Sequence, residues 1–470
     1  MAQSKSLNNV SKLRDIADVT EPRFGAVAGG DLYAAIVAAI AADVAVLHIP
    51  AGSWTLSAGI TLNRAIRIEG DGSCNDNGTA GVATTKISYS GAGIAITLDG
   101  TGANGKENIH LSDFSLFGTS AATGGILVGV TTNVSKCSMR NVHVTGFTKV
   151  NAYGVCFQKC YLSLFENLYA QENYNGFLIG VAACSNTTLT FNNCISRSNY
   201  HLGWSIRQIT NGLFNLCAAE SNDNNGLAIQ ALGGGDVVDS LTFINWHSES
   251  NLGDAHSYGN LGNATIYITG GATRIRMIGG YVSDLAGAVK ALDLDNVNNS
   301  KFGGFSYAGA SESSGFMTVS VNTSNCVYEA TDPAIPETYI TGYAPARISL
   351  LVNGASSTYT PTLTNTTNVS ASTARLCNVM RVGNMVTVSG LCDVTPTAAG
   401  PTATNLGMSI PYASSFTTGF EAGGAGSTDT TVSDSIGISA DTANDAVDLT
   451  WRATSTAAQT CYFQFSYRIV

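Results

Sequence analysis

Two glutamates carry the most pointed chemistry in this chain. Glu220 and Glu249 each stand six residues past a phenylalanine, Phe214 and Phe243, while Gln171, Arg197 and Ser283 stand six past Phe165, Phe191 and Met277. If those apolar residues recur at one phase of a stacked structure, the residues six further on line up as one exterior row, with neighbours ~4.8 Å apart. Two carboxylates so close repel, and such a pair can offer a proton donor beside an ionised partner. Glycosidic cleavage asks for that combination, at about 5 to 5.5 Å for retention or about 6.5 to 9.5 Å for inversion with a water between. Asp223 and Asp254 follow in the adjoining loops as alternative partners. Arg197 is suited to an acidic sugar or a ring hydroxyl. Tyr169 and His247, two positions before the row, are suited to stack on or hydrogen-bond a sugar.

Other readings of the same residues stay open. Outward carboxylates on a stacked fold are commonly solvated surface, and Arg197 over Glu220 is also what an ordinary ion pair worth ~0 to 1 kcal/mol looks like. A lyase would need a base and a carboxylate neutraliser, for which His247, His256 and Tyr258 are at hand. A protein with this surface and no turnover would simply bind glycan.

The elements that must position the row are legible from Asn108 to Cys326. Leu111, Met139, Phe165, Phe191, Phe214, Phe243, Met277 and Phe302 recur at steps of 28, 26, 26, 23, 29, 34 and 25 residues. Three positions later stand Phe114, Val142, Leu168, Cys194, Cys217, Trp246, Gly280 and Phe305. Between the two columns come Asp113, Asn141, Asn167, Asn193 and Asn245 in five of the eight units. Most units continue with a glycine and alternating apolar residues, as in Gly176-Phe177-Leu178-Ile179. Runs of two to five residues with period two are too short for helices and right for strands. A period of 20 to 50 residues means stacked units that bury one continuous column. Asn tolerates a left-handed bend and bonds backbone at a corner, so a stacked Asn ladder turns each coil. No proline falls between Pro50 and Pro333, as a ladder that needs nearly every N–H requires. The reading is an all-β chain, a parallel β-helix of about eight coils over this stretch. A β-sandwich or barrel would leave the phased Asn unexplained, and leucine-rich repeats would need helix-length patterns.

Composition narrows the function classes. Only 12% of residues are charged and the formal charge is −10, which argues against nucleic acid and anionic membrane as partners and suits a neutral or weakly charged polymer. No apolar stretch reaches the ~20 residues of a membrane span, and the first 25 residues lack a signal-peptide layout. The eleven cysteines follow no disulfide or CxxC spacing and read as reduced and structural. No cofactor or metal is expected. The glycines of Gly70 to Gly78 and Gly233 to Asp236 lack phosphate-loop spacing and read as turns.

Near the N-terminus, "FGA" (Phe24 to Ala26), a short helix over Tyr33, Ile36, Val37 and Ile40 with Asp31 as N-cap, "HIPAGSW" (His48 to Trp54) and "IRIEGDG" (Ile66 to Gly72) resemble the opening of the pectate-lyase-like right-handed parallel β-helix proteins, bacteriophage tailspikes above all. With the coils, the resemblance covers about two thirds of the chain. One departure is the short Val27-Ala28-Gly29-Gly30-Asp31 turn, where many relatives carry a longer acidic one. The prolines between Glu329 and Pro345 mark a boundary. Beyond it, "YTPTLTNTTNV" and "RVGNMVTVSGLCDV" (Tyr359 to Val369, Arg381 to Val394) are similar to C-terminal β-sandwich domains of tail fibres and tailspikes. Expected domains are a leader at 1–23, a β-helix with its capping helix at 24–335, a linker at 336–352 and an antiparallel β-sandwich at 353–470. The resemblance implies a homotrimer on a virion tail, with the C-terminal domain serving trimerisation or glycan contact, held to a tail or baseplate protein through its N-terminus. It further implies binding and depolymerising of a bacterial surface polysaccharide (capsule, exopolysaccharide or O-antigen), with a site that in several tailspikes lies between subunits.

Overall fold

The computed structural model describes residues 16–73, 84–100, 106–181, 184–231, 237–251, 264–284, 290–309, 317–330, 340–341, 348–352, 357–382, 385–429 and 434–469. The chain divides into two compact units, one of Met1–Cys326 with Ile335–Tyr343, the other of Val327–Ala334 with Ala344–Val470. The first unit is the parallel β-helix. A middle coil shows its plan: strand Cys160–Glu166, a corner at Asn167, strand Tyr169–Gln171, a second corner, then strand Asn175–Ile179. The third strands stack into an eleven-stranded parallel sheet running from Ile60–Leu62 to Ile340–Thr341. The spiral therefore begins before Asn108, with the strands of residues 46–98 supplying the first turns.

The apolar column stacks as its spacing requires. Leu111 pairs with Met139, Met139 with Phe165, Phe165 with Phe191, Phe191 with Phe214, Phe214 with Phe243, Phe243 with Met277 and Met277 with Phe302. Ring centroids of Phe165, Phe191, Phe214 and Phe243 follow one another at 5.0, 4.9 and 4.5 Å. Each such aromatic pair adds about 0.5 to 1.5 kcal/mol beyond the area it buries.

The corner between the columns is left-handed in every unit. Asp113, Asn141, Asn167, Asn193 and Asn245 have φ of 62, 53, 52, 50 and 52°, and the three positions without Asn or Asp, Leu216, Gly279 and Gly304, have φ of 54, 67 and 75°. The side chains form the expected ladder: Asn141 Nδ2 donates to Asp113 Oδ1 at 2.7 Å, Asn167 to Asn141 and Asn193 to Asn167, both at 2.9 Å. Leu216 occupies the same bend with no such bond to offer and is 53% exposed.

The N-terminal helix spans Tyr33–Ala41 with two differences from expectation. Its N-cap is Leu32, and Asp31 instead accepts the N–H of Tyr33 at 3.1 Å and that of Ser57 at 3.0 Å, tying the helix start to a neighbouring strand end. Its buried side is Ala35, Ile36 and Ala39, with Tyr33 and Val37 exposed; small residues let the helix backbone lie close to the coil. The resembling motifs do structural work. His48 Nδ1 meets Asp18 Oδ2 and His48 Nε2 meets Asp71 Oδ1, each at 2.9 Å, while the N–H of Ala51 donates to Asp71 Oδ2 at 2.7 Å. "HIPAGSW" is thereby pinned to "IRIEGDG".

The second unit carries a ten-stranded antiparallel sheet that curls around its own core of Val386, Val388, Leu406, Leu449, Phe463, Phe465 and their neighbours. In its last strand, Gln459–Arg468, Phe463, Phe465 and Tyr467 face inward, with Ile469 buried just after it, and Gln464 and Arg468 are exposed. The ten described cysteines are free thiols, all buried.

Candidate active site

The second strand of each coil is three residues long in the middle of the spiral, and its register brings the exterior row together. Gln171 pairs with Arg197, Arg197 with Glu220, Glu220 with Glu249 and Glu249 with Ser283. The row two positions earlier holds His143, Tyr169, Ile195, Ala218, His247 and Tyr281 in the same succession.

What fixes these short strands is a second ladder that the sequence reading did not single out. Directly after Gln171, Arg197, Glu220 and Glu249 come Glu172, Ser198, Ser221 and Ser250, all with φ between 50 and 53°. Then come Asn173, Asn199, Asn222 and Asn251, all with no exposed surface. Each accepts a backbone N–H from one coil before it: Asn173 Oδ1 from Phe147 at 3.1 Å, Asn199 Oδ1 from Asn173 at 3.0 Å, Asn222 Oδ1 from Asn199 and Asn251 Oδ1 from Asn222 at 3.1 Å. Their amide nitrogens reach the second strands, Asn199 Nδ2 to Ala170 O at 3.1 Å and Asn251 Nδ2 to Ala219 O at 2.9 Å. Buried polar groups satisfied in this way rigidify the turn they belong to. The third strand must open on glycine to make room: a Cβ on Gly176 would lie 2.1 Å from Ser196 Oγ and 2.6 Å from Gly203 O. The sequence signal was available, since Asn173, Asn199, Asn222 and Asn251 recur at the same steps as Phe165, Phe191, Phe214 and Phe243.

On this rigid floor the polar groups converge. His247 Nε2 lies 3.0 Å from Glu249 Oε2 and 3.9 Å from Glu220 Oε1, and Arg197 Nε lies 3.9 Å from Glu220 Oε2. Two carboxylate oxygens sharing one nitrogen at those distances are under about 7 Å apart, inside the span over which paired carboxylates work on a glycosidic bond. Arg197 Nη1 also donates to Tyr169 Oη at 3.4 Å. Aromatic surfaces border the group on both sides: His143 meets Tyr169 edge-on at 5.1 Å, and His247 lies 5.3 Å from Tyr281. Between them Ile195 and Ala218 leave a low shelf. His143 and Tyr281 belong to the site's row and were missed, although they share its spacing. Asp223 stands beyond the Ser221 corner, outside the row, with its N–H on Asn199 O at 2.9 Å. Asp254, His256 and Tyr258 lie outside the described residues. Among the described residues no cluster of three His, Cys, Asp or Glu could hold a metal ion, and no helix is long and apolar enough to cross a membrane.

Comparison with family profiles and with curated protein sequences gives no match. The fold, by contrast, matches solved structures. The Dettilon tailspike protein is 12% identical, with a TM-score of 0.52 over 97% of this chain and 94% of that one. The tailspike of Acinetobacter phage vb_AbaP_AS12 is 13% identical, with a TM-score of 0.53 over 84% and 80%. DFA-IIIase of Arthrobacter chlorophenolicus A6, without its lid, is 10% identical, with a TM-score of 0.51 over 72% and 98%. The chain thus has the parallel β-helix architecture of phage tailspikes. A match over 97% of the chain takes in the C-terminal unit as well.

Proposed function

We propose that this protein is a phage tailspike that binds a bacterial surface polysaccharide along the β-helix flank and depolymerises it by glycosidic hydrolysis. The observation that carries the reading is the pairing of Glu220 with Glu249 on adjacent coils, with Arg197 and His247 against them. In this reading Glu249, in contact with His247, protonates the departing sugar oxygen. Glu220, beside Arg197, attacks the anomeric carbon, the role its counterpart has in a retaining pair. Tyr169 and Tyr281 stack against sugars on either side of the cut. Residues 1–23 attach the spike to a tail or baseplate protein, and residues 353–470 hold a homotrimer together.

The test is release of reducing ends from capsular polysaccharide or O-antigen purified from strains to which the protein adsorbs. Glu220→Gln and Glu249→Gln should each lower the rate by at least about 100-fold, the scale of general acid–base catalysis. Unchanged rates in both variants would remove these residues from the chemistry. Adsorption without shortening of the polymer would favour a receptor-binding protein with no turnover. An unsaturated, ultraviolet-absorbing product end would favour a lyase, with His247 as its base.

A further inference from the structure

A second cluster of reactive groups lies on the first strands of the early coils, three and four coils before Glu220 and across the Asn corner. There His110 pairs with Ser138 across adjacent coils, and His110 Nδ1 is 2.7 Å from Ser138 Oγ. The pair lines a cleft of about 240 Å³ together with Arg67, Arg140, Leu164 and Glu166. Arg67 and Arg140 are half exposed, and each has one carboxylate beside it, Arg67 Nη1 to Glu69 Oε2 at 3.9 Å and Arg140 Nη2 to Asp113 Oδ2 at 3.6 Å. A guanidinium has five N–H donors, so one such ion pair leaves others for a group bound in the cleft.

We propose that this cleft is a serine esterase site that removes acyl groups from an acidic glycan, with Ser138 as nucleophile, His110 as its base and the two arginines binding the sugar carboxylate and the developing oxyanion. A hydroxyl held against a neutral imidazole in a charged cleft is the arrangement that activates serine. Burial, aided by the Arg67 charge, holds His110 below the usual histidine value, so it is free to accept a proton near neutrality. Ser138 Oγ bonds to the acyl carbon and its proton passes to His110 Nδ1. The bond from that carbon to the sugar oxygen breaks, and the sugar oxygen takes the proton from His110. Water then adds to the acyl-serine, its proton going to His110 and on to Ser138 Oγ as the carboxylic acid departs.

The glycan as substrate rests on the proposed polysaccharide reading; the ester chemistry does not. The experiment therefore has two arms on the full chain. A fluorophosphonate probe followed by peptide mapping, with 4-nitrophenyl acetate hydrolysis alongside, reads the dyad. Acetate released from O-acetylated acidic capsular polysaccharide reads the substrate. Expected are label on Ser138 and acetate release lowered at least about 100-fold by Ser138→Ala and by His110→Gln. Thermal melts of the variants matching wild type exclude unfolding as the cause. Absence of label on Ser138, or ester hydrolysis undiminished in Ser138→Ala, overturns the dyad. Label and 4-nitrophenyl acetate hydrolysis without glycan acetate overturn the substrate class and leave depolymerisation untouched.

Discussion

Replacing Asn222 with alanine tests whether the buried ladder holds the candidate site. The side chain has no exposed surface; its Oδ1 accepts from Asn199 N at 3.1 Å and Asn199 Nδ2 at 2.8 Å, and its Nδ2 donates to Ser196 O at 3.3 Å and Asn251 Oδ1 at 2.8 Å. Most of these partners have substitutes. Asn199 Nδ2 still reaches Ala170 O, and Asn251 Oδ1 still receives the N–H of residue 222. The N–H of Asn199 loses this acceptor in the interior, which costs about 1 to 3 kcal/mol, and the remaining lost bonds add about 1 kcal/mol net. Asn222→Ala should therefore destabilise the β-helix by roughly 2 to 4 kcal/mol. A urea titration reads this as a lower midpoint at unchanged slope. Asn215→Ala, at the half-buried end of the first strand Ile209–Asn215, should stay within about 0.5 kcal/mol. Because Glu220 is two residues from Asn222 across a left-handed bend, depolymerisation should fall further than the folded fraction does. An Asn222→Ala midpoint equal to wild type would refute the ladder as the support of the site.

Three other outcomes follow from contacts already described. Burial alone would depress His48, but its bonds to Asp71 and Asp18 outweigh this and raise it. Asp71 is lowered first by His48, and Asp18 is lowered by Thr20 and His48 against its own burial. The histidine's contribution is complete below 6.5 and fades as pH climbs through its raised value. The aspartates' contributions are complete above 3.8 and fade as pH drops through their lowered values. Amide protection factors at residues 16–18, corrected for the intrinsic pH dependence of exchange, should thus be highest between about pH 4 and 6.5, and His48→Gln should abolish the loss of protection on the alkaline side. Gly176→Ala forces a Cβ against Ser196 Oγ and Gly203 O and should lower stability by about 1 to 3 kcal/mol, measured by thermal or urea unfolding. Tyr169→Ala and Tyr281→Ala should each weaken oligosaccharide binding in calorimetry, by about 1 kcal/mol if a sugar face rests on the ring.

Much of this was readable because stacked coils impose one spacing on every row. Phe191 over Phe214, the left-handed Asn167 and the adjacency of Glu220 and Glu249 all follow from a single alignment of apolar residues. The inner ladder was overlooked because Asn199 or Asn222, taken alone, looks like any turn residue; only stacking removes it from water. Leu216 shows the opposite effect, a corner set by its neighbours against its own preference. The helix faced inward with alanines where hydrophobicity favoured Tyr33 and Val37, since close backbone approach outweighed side-chain area. Asp254 had no counterpart in the repeat pattern to fix it, and the His110–Ser138 pair depends on a first-strand row whose residue types do not repeat.

The left-handed corner residues return the backbone to an equivalent point once per turn, and this makes a whole turn a removable part. Cutting Leu168–Asn193 and joining Asn167 to Cys194 would delete 26 residues yet leave both column and corner continuous. Arg197 would then stand beside Thr145, while Glu220 and Glu249 would keep each other as neighbours. Shortening or lengthening the spiral by full turns would change its reach and its exterior shelf while leaving the Glu220–Glu249 pair as it stands.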